Sequence, residues 1–202
     1  AQETGRLGSI PNEVRLRPPA GGRQARKMVE AIPGSRYLAE FLGTFLLVLS
    51  IGCNVISGSA TWAALSIACT LMVSIYAMGG VSGANFNPAV SVSLGLLGKL
   101  APKEVCLYII SQLLGGATAA LCYTDMFDKV INVGPAKGYS IWQAGLVETL
   151  YTFMLCFVVL NVATSKRHAG KDQFYGLAIG FVIVAGAYGA GAISGGCFNP
   201  AV

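Results

Sequence analysis

Ser82-Gly83-Ala84-Asn85-Phe86-Asn87-Pro88-Ala89-Val90 and Ser194-Gly195-Gly196-Cys197-Phe198-Asn199-Pro200-Ala201-Val202 are one nonapeptide written twice, identical at seven of nine positions and 112 residues apart. A second pair precedes them: Glu40, Thr44 and Phe45 return as Glu148, Thr152 and Phe153 at a spacing of 108. Two matches at nearly one offset indicate a duplicated chain. Inside each nonapeptide, Asn followed by Pro is a helix-start signal. The Asn side chain caps the first turn, and Pro fits where a backbone N–H would have no partner anyway.

The surroundings of the first copy are unusual. Residues 79–98 read GGVSGANFNPAVSVSLGLLG. That is too apolar for an aqueous loop and too interrupted for a spanning helix. Irregular backbone at membrane depth is tolerated only where it lines a cavity or is packed inside protein. The stretch therefore predicts a re-entrant segment that descends as coil and returns as a short half-helix over about 88–97. Residues 194–202 predict its second copy.

Five apolar stretches of 18 to 23 residues flank these segments, at about 37–57, 61–78, 105–123, 141–163 and 174–193. Each is long enough to cross about 30 Å of hydrocarbon as a helix. Composition agrees: 54% of residues are hydrophobic and 11% charged, against about 25% charged in soluble domains. Ten of the 23 charged residues lie in residues 1–36, seven basic and three acidic. The scarcity of charge elsewhere excludes a nucleic-acid module, despite the net charge of +5, and an ordinary soluble enzyme. Residues 1–36 predict a basic, disordered, cytosolic tail, and residues 37–202 a membrane domain. The tail, the Lys99–Glu104 connection and the 164–173 connection are all net positive. They fall on one side of a five-span chain, which predicts a cytosolic amino terminus.

Two spans and a re-entrant segment followed by a third span make an odd number per repeat, so the second copy is inverted in the bilayer. Inverted repeats bring broken-helix tips together near the midplane. The chain starts at Ala1 and stops at Val202, inside the second box, which predicts a fragment of a longer protein. A second half-helix and a sixth span are expected beyond it, and conduction is expected of the full-length chain.

The residues at those tips suit a pore. A half-helix N-terminus presents unpaired N–H groups and a partial positive charge. The amides of Asn87 and Asn199 are donors to a passing oxygen. A water held by two donors has no lone pair left for a proton wire. Glu40 and Glu148 are acids inside spans, where ionisable groups are costly. They are expected to accept hydrogen bonds from re-entrant backbone, with Gln112 in the third span doing similar work. A proton relay is the alternative. The six cysteines lack CxxC spacing and read as small buried hydrophobes, except Cys197 beside Asn199. His168 is the sole histidine, so no zinc site of usual spacing is expected; the sequence also carries no nucleophile motif or clustered acids for hydrolysis, and no cofactor is expected.

Paired SGxxxNPAV boxes, ExxGTF in the first span, ExxxTF in the fourth and Gln112 in the third closely resemble the major intrinsic proteins, the aquaporins and glycerol facilitators. The resemblance spans about residues 37–202. It implies an all-α membrane protein: an inverted-repeat bundle of six helices plus two re-entrant half-helices, here lacking the sixth helix and second half-helix. It also implies one pore per subunit, a homotetramer in the lipid bilayer, and water and small neutral solutes as cargo. Carried over by distance from each Asn, the pore boxes are Asn87, Pro88, Ala89, Asn199, Pro200 and Ala201. The selectivity-filter positions are Ile67, Ala187, Gly196 and Val202. Most members have arginine where Val202 stands, water-selective members often have histidine where Ala187 stands, and the family's common histidine is replaced by Asn85. An Ile/Ala/Gly/Val constriction is wide and uncharged, which predicts passage of glycerol, urea, hydrogen peroxide or ammonia besides water. A secondary transporter would share the inverted repeat but need ionisable groups at its substrate site. A non-conducting scaffold of the same fold is the other alternative.

Overall fold

The computed structural model describes residues 32–59, 61–165 and 173–202. These fold into six α-helices: α1 (Ser35–Ile56), α2 (Ala63–Ser82), α3 (Pro88–Leu96), α4 (Pro102–Phe127), α5 (Ile141–Val159) and α6 (Tyr175–Ser194). The last turn of α5 widens into a π turn at Leu160–Thr164. There is no strand among the described residues. Five helices are long and apolar enough to cross a membrane, α5 with its π turn counting as one. The shortest of these has 20 residues, about 30 Å at 1.5 Å per residue. Large apolar side chains such as Leu121, Trp142, Phe153 and Phe157 stand exposed on the outside. In water such a surface would aggregate; against acyl chains it is the solvated one.

Because lipid is as apolar as leucine, these helices are held by close packing rather than by hydrophobic drive. Glycine supplies the closeness. A Cβ on Gly115 would overlap the Phe41 carbonyl oxygen of α1, and one on Gly116 would lie 2.5 Å from the Ala201 carbonyl oxygen. So α4 lies directly on α1 and on the second nonapeptide. α1 also packs on α2, α6 packs on both α2 and α5, and α3 is wedged against α4 and α5. The seam between the repeats thus runs along α2 and α6. The core gathers where the nonapeptides meet: Phe86 and Phe198 are fully buried there, with Ile75 and Ile183.

Two expectations change in detail. The coil of the first re-entrant segment does not begin at Gly79. α2 runs on to Ser82 and ends only at Gly83, whose φ of 93° is the left-handed helix stop that glycine adopts without strain. α6 likewise ends at Ser194 with Gly195 at φ 91°. Continuing the helix satisfies backbone groups that have no water to bind at that depth, so the coil shrinks to residues 83–87. The third span starts earlier than expected, at Pro102, and takes Glu104 into its first turn. There the carboxylate meets the helix N-terminus and lies 3.2 Å from the Arg36 guanidinium.

The half-helix α3 is where the sequence placed it. Asn87 caps it with an extended backbone, and its Oδ1 accepts from the Ala89 N–H at 2.9 Å. Residues 1–31 and 166–172, which carry His168 and most of the charge behind the orientation reading, lie outside the described residues.

Candidate functional site

The two carboxylates inside spans face the two coils. Glu40 Oε1 accepts from the Ser82 hydroxyl at 2.6 Å and the Asn85 N–H at 3.0 Å. Its Oε2 accepts from the Phe86 N–H at 2.7 Å and from Gln112 Nε2 at 2.8 Å. Glu148 repeats the pattern. Oε1 accepts from the Ser194 hydroxyl at 2.6 Å and the Cys197 N–H at 3.0 Å, and Oε2 from the Phe198 N–H at 2.6 Å. Every partner is a donor, the set that suits a carboxylate with four lone-pair directions.

Two consecutive N–H groups converge on one carboxylate because the coil alternates in handedness. Ala84 and Phe86 have φ of 53° and 51°; in the second coil Gly196 and Phe198 have 68° and 48°. Such alternation turns successive N–H groups to one side, forming an anion-binding concavity. For Ala84, Phe86 and Phe198 the left-handed region costs about 1–2 kcal/mol each. The charge-assisted hydrogen bonds, at about 1.5–3 kcal/mol apiece, offset that strain.

Gln112 does not hold loop backbone as the sequence suggested. Its Nε2 donates both to Glu40 and, at 2.9 Å, to the Ser91 hydroxyl on α3. It braces the anchor, because Glu40 is already surrounded by coil donors and offers only acceptors. Its own Oε1 is buried without a partner, a penalty of about 1–3 kcal/mol.

The two boxes are locked to each other. Asn87 Nδ2 donates to the Phe198 carbonyl at 2.8 Å, and Asn199 Nδ2 donates to the Phe86 carbonyl at 2.9 Å. Each Oδ1 accepts from the N–H two residues on, Ala89 and Ala201. Sequence reasoning assigned these amides to a passing solute. The structure spends one N–H of each on the opposite coil and leaves one.

Both asparagines lie on the wall of a cavity of about 430 Å³, enclosed by α1, α2, α5, α6 and the coils. Ile67, Ala187 and Gly196 share that wall, with Asn85 and Cys197. Most of the rest is aliphatic. Val202 is not on it: its N–H turns back to the Asn199 carbonyl at 3.0 Å, and its side chain joins the apolar cluster of Val48, Ala119 and Tyr123. An aliphatic side chain that can reach an apolar cluster gains by burial there. Pro88 and Ala89 open α3, Pro200 and Ala201 form a turn, and none of the four is on the wall.

The cysteines are less buried than their apolar flanks suggested. Cys69 and Cys106 are exposed on the outer surface, where lipid rather than water is the neighbour. Sequence reasoning missed Ser82, Ser194 and Ser91. The serines opening the nonapeptides are identical in both copies, which was signal enough; nothing marked Ser91. Among the described residues no group of three or more His, Cys, Asp or Glu gathers to hold a metal.

The sequence profile of the major intrinsic proteins matches residues 28–202. Among curated proteins, a probable aquaporin of NIP type from Nicotiana alata is 36% identical over 82% of this chain, and Aquaporin AqpM of Methanothermobacter marburgensis is 32% identical over 82%. The chain spans 64% of the length of the first and 79% of the second. Among solved structures, an aquaglyceroporin from Plasmodium falciparum superposes with a TM-score of 0.72, covering 82% of this chain and 76% of that one at 23% identity. That likeness is one of fold.

Proposed function

This chain belongs to the major intrinsic protein family, and on that premise we propose that it is the pore-forming part of a passive channel for water and small neutral solutes. The family's members are channels rather than enzymes, so its buried acids are scaffold, not catalysts. The observation that carries the reading is the reciprocal junction of Asn87 and Asn199 on the cavity wall. Each amide retains one N–H for the lumen. A water or hydroxyl passing there gives up its lone pairs to fixed donors and cannot relay a proton. The N-terminus of α3 adds a partial positive charge at the same level, which repels cations.

Ile67, Ala187 and Gly196 act as filter positions that carry no charge, and Ala187 and Gly196 are small. They favour broad selectivity, with glycerol, urea, hydrogen peroxide or ammonia following water. Val202 belongs to the filter by its place in the box alone; its side chain packs with Val48, Ala119 and Tyr123, off the cavity wall. Four copies assemble around the lipid-exposed helices, with the basic amino terminus in the cytosol. Glu40 and Glu148 hold the coils in the shape the lumen needs, and Gln112 braces Glu40.

Stopped-flow light scattering on proteoliposomes carrying the full-length chain tests this. Osmotic water flux accompanied by glycerol, urea or peroxide flux is expected, without a proton leak. Water flux alone removes the broad selectivity; ion-coupled, saturable uptake replaces the channel with a transporter. Cross-linking in native membranes reads the tetramer.

A further inference from the structure

The amide of Asn85 is 93% buried yet stands on the cavity wall. Its two ends have different surroundings. Nδ2 donates to the Ser91 hydroxyl at 3.0 Å. Oδ1 has no hydrogen-bond partner among the described residues and lies over Gly83, itself a wall residue, 3.8 Å from where a Cβ there would sit. The polar groups of so buried a residue are nearly always hydrogen-bonded, and this oxygen has only the lumen in which to find a partner.

Behind the amide stands a buried polar chain. Glu40 offers only acceptors, so Gln112 must turn its Nε2 inward. That same nitrogen then donates to Ser91 at 2.9 Å, and Ser91 receives Asn85 Nδ2 on its other side. Gln112 and Ser91 are both fully buried, so neither has water as an alternative partner. Four side chains, Glu40, Gln112, Ser91 and Asn85, thus form one hydrogen-bonded chain from a carboxylate to the lumen. At its end the lumen meets an acceptor.

We propose that Asn85 is a specificity-determining residue whose Oδ1 receives an N–H of a small neutral amide such as urea, with Ser91 as its positioning residue. Two residues along the same coil, Asn87 keeps a free N–H for the lumen. An amide solute carries C=O and N–H on one edge, one group for each of these. The second coil has Cys197 at the position of Asn85, so the acceptor is built on one side only. This inference rests on the channel reading above and refines what passes through it.

The test is the ratio of urea to water permeability in proteoliposomes carrying the full-length chain. Asn85→Ala widens the lumen while removing the acceptor. If size governs, the ratio rises. If the acceptor governs, it falls about fivefold, the effect of one lost neutral hydrogen bond. Asn85→Leu, which keeps the bulk, lowers it as well and guards against a loop that has merely slackened. Ser91→Ala leaves Asn85 in place and releases its amide. The ratio then falls, a change that general loss of folded protein, scaling both fluxes alike, does not produce. A ratio unchanged or raised in Asn85→Ala, or unchanged in Ser91→Ala, overturns the assignment while leaving the channel intact. A parent protein that conducts neither water nor urea overturns the channel and the assignment together.

Discussion

Replacing Glu40 by Gln exchanges one acceptor oxygen for a donor in a site where every partner donates. Two of the four partners can adapt. The Ser82 hydroxyl can rotate, and Gln112 can turn its amide over. The main-chain N–H groups of Asn85 and Phe86 cannot, and they sit on different oxygens of Glu40. Whichever way the new amide lies, one of them loses its partner. An orphaned buried N–H costs about 1–3 kcal/mol, and the surviving bonds fall from charge-assisted to neutral strength, about 1 kcal/mol each. A neutral amide is cheaper to bury than a carboxylate, which offsets part of this. The net expectation is a loss of about 3 kcal/mol. Glu148→Gln should lose a similar amount, since Cys197 and Phe198 present the same two N–H groups to it. At about 2–4 °C per kcal/mol for a chain of this size, detergent-solubilised protein should melt about 6–12 °C lower. Tryptophan fluorescence reads the melt, and stopped-flow water permeability reads the loops. Shifts below about 2 °C in both variants, with flux retained, would refute the view that these carboxylates hold the coils.

Gly115→Ala drives a methyl into the Phe41 carbonyl and should cost about 1–3 kcal/mol, visible as a lower melting temperature. Gly43→Ala meets the ring of Phe86 and should disturb the first coil, lowering water flux more than helix content by circular dichroism. Asn199→Ala removes both the cap on Ala201 and the bond to Phe86; about 1–2 kcal/mol of stability goes with it, and a pH-sensitive dye inside vesicles should report a faster proton leak. Gly196→Ala should be worse than Ala84→Gly. Its φ of 68° is strained for alanine, and its Cβ would press on Gly191, Ala187 and Phe198, whereas glycine at 84 relieves strain.

The fold was legible because membrane constraint and duplication speak through composition and spacing. Five apolar runs and a twice-written nonapeptide need no tertiary knowledge. The cap at Asn87 was legible for the same reason, being a local rule. The helix ends were not: α2 continues to Ser82 because depth in the bilayer, rather than propensity, decides how long backbone stays paired. Gly83 and Gly195 marked the stops, yet their φ becomes evident only in three dimensions. The partners of Glu40 show the limit from the other side. An acid in a span announces that something donates to it. That Gln112 donates, and serves Ser91 as well, depends on the crossing of α1 and α4 that Gly115 permits.

The two coils differ at only two of nine positions, and the pattern of difference separates frame from lumen. Identity is kept at Ser82 and Ser194, whose hydroxyls bind the carboxylates, and at Asn87 and Asn199, whose amides bind the opposite coil. The N–H groups of Asn85 and Cys197 serve the carboxylates equally, but any side chain can ride on a backbone donor. The side chains at those positions, and at the neighbouring Ala84 and Gly196, make no bond to either carboxylate or to the opposite coil, and all four residues lie on the cavity wall. A duplicated loop whose variation is confined to the wall lets the lumen change its chemistry on one face at a time. A Cys197→Asn variant places an amide in the second coil without removing any bond described here, and changes the solute profile rather than the melting temperature.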